Sequence, residues 1–241
     1  MKAIVSFSSM GRENYNKAML RLIRSLEGRW DGGKLMFQFD GYVDEYRGVP
    51  IRQCQSVQFP QPKSWVCSPH GEIPYQFKLA VIQIAREEGY HQTWWCDSTI
   101  QLLKDPSPLL DASDSGIVAF ENLGHPLYKW ISDEAQLNLG LSNDELPLIP
   151  QIMACAIGFD FNKEACCRIF DKWLLRSYDS FRDSGSNRAG FVAHRHDQAV
   201  LSALLWQNQI ALLPYGRLVY PPHDTDFSYG NDIFFVNKAV N

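Results

Sequence analysis

The chain has 241 residues, 45% of them hydrophobic and 21% charged, with a net charge of -4, which suits one medium-sized globular domain with its own core. That acidic balance excludes, for the chain as a whole, the basic footprint of a protein that grips nucleic acid through its phosphates. No window approaches the roughly 18 apolar residues of a membrane span, and Met1 to Ser6 opens on a strand-like run without the marks of a secretory signal. A cytoplasmic protein, or a piece parted from an anchor, is expected.

In chain order, Ala3 to Phe7 reads as a buried strand. The small-residue turn Ser8-Ser9-Met10-Gly11-Arg12 leads into a helix with Ala18, Met19, Leu22, Ile23 and Leu26 on one face. Leu35 to Phe39 is a second strand, and Asp40 to Pro74, rich in Gly, Pro and polar residues, reads as a long loop. Pro74 starts a helix through Glu88, stopped by Gly89. Thr93-Trp94-Trp95-Cys96 is a compact β-forming run that ends at Asp97. Ile117 to Phe120 and Gln151 to Phe159 are further strands, the second followed by a helix over Asn162 to Tyr178. Arg182 to Ala193 has the composition of a mobile loop before a helix over Asp197 to Gln207. Short strands at Ala211 to Leu213 and Leu218 to Tyr220 follow, then a tail without helical period. Strands alternating with helices predict an α/β sheet covered on both faces. Ligands of such sheets bind beyond the carboxyl ends of the strands, where Ser8 and Asp97 fall.

Asp97 is the first candidate for chemistry. A diphosphate beside a bare carboxylate is repelled, whereas Mg²⁺ or Mn²⁺ between them bridges the two. The same position also suits a turn cap. Asp197 opens a helix, where a cap is one role and orienting a sugar or accepting a proton from a hydroxyl is the other. Its neighbours His194 and His196 form a His-x-His pair that lacks a third and fourth metal ligand. His223 lies in a proline-stiffened tail and could complete a metal sphere with Asp97, or sit in a surface turn. Lys78, the only cation from Pro74 to Ala85, could reach phosphate or snorkel to solvent, and Arg12 shares that ambiguity. Trp30 and Trp65, in loop-like surroundings, are the tryptophans suited to sugar stacking. Six cysteines show no Cys-x-x-Cys pair, which argues against a thiolate zinc site. The glycine fingerprints of dinucleotide and P-loop sites are absent, as are the hydrolase elbow and the zincin helix.

Taken in order, five segments resemble the GT-A class of nucleotide-sugar-dependent glycosyltransferases. They are Ala3 to Ser8, Tyr75-Gln76-Phe77-Lys78-Leu79, Trp95-Cys96-Asp97-Ser98, Ile157-Gly158-Phe159, and His196-Asp197-Gln198-Ala199-Val200-Leu201-Ser202. The resemblance runs from residue 3 to about residue 223 and rests on order and spacing. It implies a Rossmann-like, mixed but mostly parallel sheet flanked by helices, in a single catalytic domain over 1-241. Residues 1-100 would form the nucleotide-sugar half and 101-241 the acceptor side with its tail. It further implies that Ser8, Arg12, Lys78, Asp97 and Ser98 bind the donor, such as a UDP-sugar, and that Asp197 faces the reacting sugar. His196 and Gln198 would contact sugar or acceptor, and Asp97 with His223 would hold Mn²⁺ or Mg²⁺. The class pattern is Asp-x-Asp, whereas this chain has Asp97-Ser98-Thr99 and so a single carboxylate. The expected activity is transfer of a hexose or pentose to an acceptor hydroxyl on a glycan, protein, small molecule or modified DNA. A non-catalytic nucleotide-sugar-binding module and a nucleotidyltransferase releasing pyrophosphate are the alternatives.

Overall fold

Adjacent residues on the central strands point to opposite faces of one sheet, and both faces are covered by helices. The computed structural model describes residues 1–9, 13–39, 43–54, 71–219 and 232–238. Strands β1 (Lys2–Ser9), β2 (Gly33–Phe39), β3 (Glu45–Tyr46), β4 (Val49–Cys54), β5 (Gln92–Cys96), β7 (Ile117–Val118) and β10 (Ala156–Asp160) form a seven-stranded sheet in the order β3-β4-β2-β1-β5-β10-β7. The pairs β1–β2, β1–β5 and β2–β4 are parallel, while β10 runs antiparallel to both β5 and β7. Two small sheets flank it: β6 (Ile100–Leu102) with β11 (Leu218–Val219) and β12 (Phe235–Asn237), and β8 (Glu121–Pro126) with β9 (Pro150–Ile152).

The period-2 geometry of a strand explains the two cores. Ile4, Met36 and Trp94 face helix α1 (Glu13–Leu26) and meet Met19, Leu22 and Phe235. Their neighbours Val5, Phe37 and Trp95 face the other way, into a larger core with helices α2 (Gln76–Glu87), α5 (Glu164–Ser180) and α6 (His196–Gln207). Trp94 and Trp95 are both almost fully buried. At about 25 cal/mol per Å² and roughly 150–250 Å² per ring, each contributes several kcal/mol, which anchors β5 to the cores on both faces of the sheet.

Where the elements differ from expectation, the reason is local. The stretch read as a loop from Asp40 to Pro74 contains β3 and β4, in which Val49, Ile51 and Cys54 are buried and Pro50 is exposed; the proline and the charged partners mask this half-buried alternation. The apolar run Gln151 to Phe159 is two strands, because the chain turns at Ala154 and Cys155 and crosses from the small β8–β9 sheet to the main one. A continuous apolar run cannot reveal such a break. Helix α3 (Ser107–Asp111) and helix α4 (Asp133–Leu139) were not anticipated, although α4 has full punctuation: Ser132 caps it by accepting from Ala135 N, and Gly140 closes it at φ 68°. Trp30 belongs to the core, 5% exposed, with its indole N–H donated to the Gly33 carbonyl and Lys2 over its ring, so it offers no face to a sugar. Trp65 lies outside the described residues.

The Arg182 to Ala193 segment has no helix or strand, as its composition predicts. It is nonetheless tied down along its length. Arg188 donates to the Tyr128 and Ile131 carbonyls and to Asp133 and Gln136, Ser186 donates to Asp133, and Arg182 donates to the Glu72 carbonyl. Charge-assisted bonds of this kind, made to backbone carbonyls and to the Asp133 carboxylate, hold the segment against α4 and its neighbours. No helix among the described residues is long and apolar enough to cross a membrane.

Candidate active site

The centre of the site is the carboxyl end of β5. Asp97 leaves the strand in a tight turn: its N–H is donated to the Cys155 carbonyl at 2.8 Å, and its own carbonyl accepts from Ile100 N at 2.9 Å. The indole of Trp95 donates to Asp97 Oδ1 at 2.7 Å, which aims the carboxylate, and the side chain remains 40% exposed. Burial of its inner part holds this carboxyl above the ordinary carboxylate range; the Asp197 charge adds to the effect, and Lys78 and the Trp95 indole oppose it.

Lys78 comes from the first turn of α2 and is buried. Its ammonium donates to the Ala154 carbonyl at 2.9 Å and to Asp197 Oδ2 at 2.5 Å, and lies 4.0 Å from Asp97 Oδ1. The Trp95 ring is beside it, 5.2 Å from the ammonium to the ring centroid. Burial alone would depress its pKa, but the two aspartates outweigh burial and hold it above the usual lysine value. Asp197 sits in the first turn of α6, its side chain 4% exposed, where the helix dipole favours a negative charge. Its backbone carbonyl accepts from the Trp173 indole at 3.1 Å, locking the helix start against α5. One ammonium against two carboxylates leaves the cluster net negative, a local charge that favours a further cation.

Around this trio the backbone is strained. Tyr75, preceding α2, has φ 62° and makes no side-chain cap bond, and His196, opening α6, has φ 40°. Non-glycine residues held there cost roughly 1–3 kcal/mol each and cluster at functional sites. The two rings face one another at 5.5 Å between centroids, and the His196 Nδ1–H is donated to the Phe181 carbonyl. Next to Asp197, Gln198 donates to Gln151 Oε1 at 3.0 Å, and the Gln151 amide nitrogen is buried with no hydrogen-bond partner among the described residues. A buried donor left so costs about 1–3 kcal/mol until a ligand or water satisfies it.

Of the residues singled out from sequence, Lys78, Asp97, Asp197, His196 and Gln198 thus fall in one neighbourhood. Lys78 neither snorkels nor stands free; it is the link between the two aspartates. Ser98 is buried in the turn after Asp97. Ser8 is buried at the end of β1 and turned toward α1, donating to Asn16 Oδ1 at 2.9 Å, which also accepts from Gln38 at 2.8 Å. Arg12 and His223 lie outside the described residues. Among those described, no group of three or more His, Cys, Asp or Glu is arranged to hold a metal ion. Tyr75 and Gln151 were not anticipated, because neither left-handed backbone nor an unpaired amide has a signature in local sequence. Among the described cysteines, burial pushes the Cys54 thiol up to about 12 and raises Cys96 and Cys166 as well, which keeps those three as unreactive thiols.

No protein-family model matches the chain, and no curated protein matches it by sequence. Solved structures do match. The bifunctional glycosyltransferase WbbM, in its apo form, superposes with a TM-score of 0.57 at 14% identity over 98% of this chain. The galactosyltransferase LgtC, in complex with donor and acceptor sugar analogues, does so with a TM-score of 0.50 at 13% identity, again over 98% of this chain and over 86% of its own. The chain spans 45% of the length of WbbM. At such identity the likeness is one of fold. With its mixed, mostly parallel seven-stranded sheet between helices, the chain has the fold of GT-A glycosyltransferases.

Proposed function

We propose that this chain transfers a sugar from a nucleoside-diphosphate sugar to an acceptor hydroxyl. The observation that carries this reading is the Asp97–Lys78–Asp197 cluster at the carboxyl end of β5 in a GT-A fold. Lys78 supplies positive charge to the departing diphosphate, and Asp197 keeps that lysine charged and aimed while its other oxygen faces the sugar. Gln198, half-buried beside Asp197 and oriented by its bond to Gln151 Oε1, is the hydrogen-bond partner of a sugar hydroxyl in this reading.

A divalent cation fits this chemistry in a limited sense. Mg²⁺ and Mn²⁺ are commonly held by one or two carboxylates together with substrate phosphates rather than by a full protein cage. The half-exposed Asp97 carboxylate, in a net-negative cluster, offers the protein share of such a site. When bound, the ion would neutralise charge that builds on the leaving diphosphate.

Turnover of a panel of nucleotide-sugars, with and without Mn²⁺, tests the reading. Asp97→Ala should lower kcat/KM by about a hundredfold or more, the scale for losing one charge-stabilising group, while the chain stays folded. Turnover that survives this change would remove Asp97 from the assignment. The near-complete burial of Asp197 against Lys78 favours a second reading, a sugar-nucleotide-binding module without catalysis. Thermal stabilisation by a nucleotide-sugar without release of nucleoside diphosphate would identify it, whereas pyrophosphate as product would identify a nucleotidyltransferase.

A further inference from the structure

Arg195, the residue before helix α6, is exposed, yet its side chain is held in place. Its backbone N–H is donated to the Trp130 carbonyl at 2.9 Å, and its guanidinium lies over the Trp130 indole, 4.3 Å from the ring centroid. The His125 ring packs against the same indole at 5.6 Å between centroids and donates Nδ1–H to the Leu123 carbonyl, so it braces the tryptophan. Stacking uses the flat face of a guanidinium and leaves the N–H groups along its edge available. Among the described residues none of those side-chain N–H groups has an acceptor. The neighbouring carboxylates are engaged elsewhere: Asp183 accepts from Gly185 N and His194 N, and Asp133 from Arg188, Ser186 and Asn187 N. Lys129, whose carbonyl accepts from Val192 N, adds a second cation with no carboxylate at ion-pair distance among the described residues. In a chain of net charge -4 this is a locally positive spot. It also borders the proposed reaction centre, because the Cα atoms of Arg195 and Asp197, two residues apart, are separated by about 7 Å at most.

We infer that Arg195, held by Trp130, binds an anionic group, a carboxylate or a phosphate, on the molecule that receives the sugar, which makes the acceptor an acidic one. A guanidinium fixed by an aromatic ring grips such a group at two points through its planar fork. Calling that molecule the acceptor rests on the sugar transfer proposed above; the anion site stands on the Arg195–Trp130 geometry. The donor's diphosphate is assigned to Lys78 at the end of β5, which leaves Arg195, on the α6 side of the cluster, for the other substrate.

The test uses the full chain and calorimetric binding of two acid–neutral pairs, methyl glucuronide against methyl glucoside and glucosyl phosphate against glucose, beside the nucleoside diphosphate that the wild type binds most tightly. At least one acid should bind about tenfold or more tightly than its neutral partner, and its affinity should fall as salt is raised. The arm that binds tells carboxylate from phosphate. Arg195→Gln should erase the preference, while nucleoside diphosphate affinity stays within about twofold and the melting midpoint within about 3 °C, since one exposed cation–π contact is lost. Arg195→Lys should restore only part of it, because an ammonium keeps the charge without the fork. The inference is overturned if neither acid outbinds its neutral partner or if Arg195→Gln keeps the preference. It is equally overturned if that variant weakens nucleoside diphosphate as much as the acid, the result for a donor contact or a folding defect. Acid binding that depends on Arg195 in a chain that turns over no nucleotide-sugar would instead remove the proposed function and leave the anion site standing.

Discussion

Replacing Lys78 by methionine keeps the length and apolar stem of the side chain and removes the charge on which Asp197 depends. The ion pair is 2.5 Å long, with side chains 3% and 4% exposed, and solvent screens it little. Its gross Coulomb energy is about 6–7 kcal/mol at an effective dielectric near 20, much of it cancelled by the desolvation of both groups. The measurable quantity is the cost of stranding a buried carboxylate, about 3–5 kcal/mol. In a domain of this size that lowers the melting midpoint by roughly 6–20 °C. Asp197→Asn should cost less, since the orphaned ammonium keeps the Ala154 carbonyl and has Asp97 4.0 Å away. The double variant should be more stable than the sum of the two single changes predicts, a coupling that urea or thermal unfolding of all four proteins reads directly. Because Lys78 is held above its ordinary 10.5, its charge and the stability that charge brings are fully present just below that value and are lost as the pH climbs beyond it. A Lys78→Met midpoint within about 2 °C of wild type, or strictly additive single changes, would refute the reasoning.

Two further outcomes follow from packing and protonation. Buried His194 accepts from Ser132 N at Nδ1 and donates from Nε2 to the Ser180 carbonyl, and burial, opposed by the Ser180 bond and aided by the nearby His196, lowers its pKa to about 4. The unfolded chain therefore binds this proton first as the pH falls from 6.5 toward 4, and stability should drop by about 3 kcal/mol across that window. Urea midpoints between pH 7 and 4 check this, and a His194→Gln variant should show a flatter profile. Gly158 pairs with Trp94 across β10 and β5, and a Cβ there would lie 2.9 Å from the indole ring. Since that ring is fully enclosed, Gly158→Ala should destabilise by about 1–3 kcal/mol in chemical denaturation.

Much of the site was legible before folding was considered. An acid closing the apolar run Thr93 to Cys96 had to sit at a strand end, because β-forming residues stop there and turn residues begin. An acid opening the helix at Asp197 was equally readable, from the apolar period that follows it. Lys78 was readable as an isolated cation on an apolar helix, but not its partners, since its ligands come from residues 76 and 119 positions away in sequence. The turn that supplies the Ala154 and Cys155 carbonyls was hidden inside an apolar run, where hydrophobicity carries no information about direction.

The sequence by itself determined the alternation of strands and helices, the two-faced core and the ends at which Asp97 and Asp197 stand, because these follow from periodicity and caps within a few residues. Only the tertiary structure decided that Lys78 joins the two acids, that Tyr75 and His196 meet beside them, and that Ser8 turns toward Asn16. Those are contacts between segments far apart in the chain, and they form only once packing has excluded water and set which charges must neutralise one another.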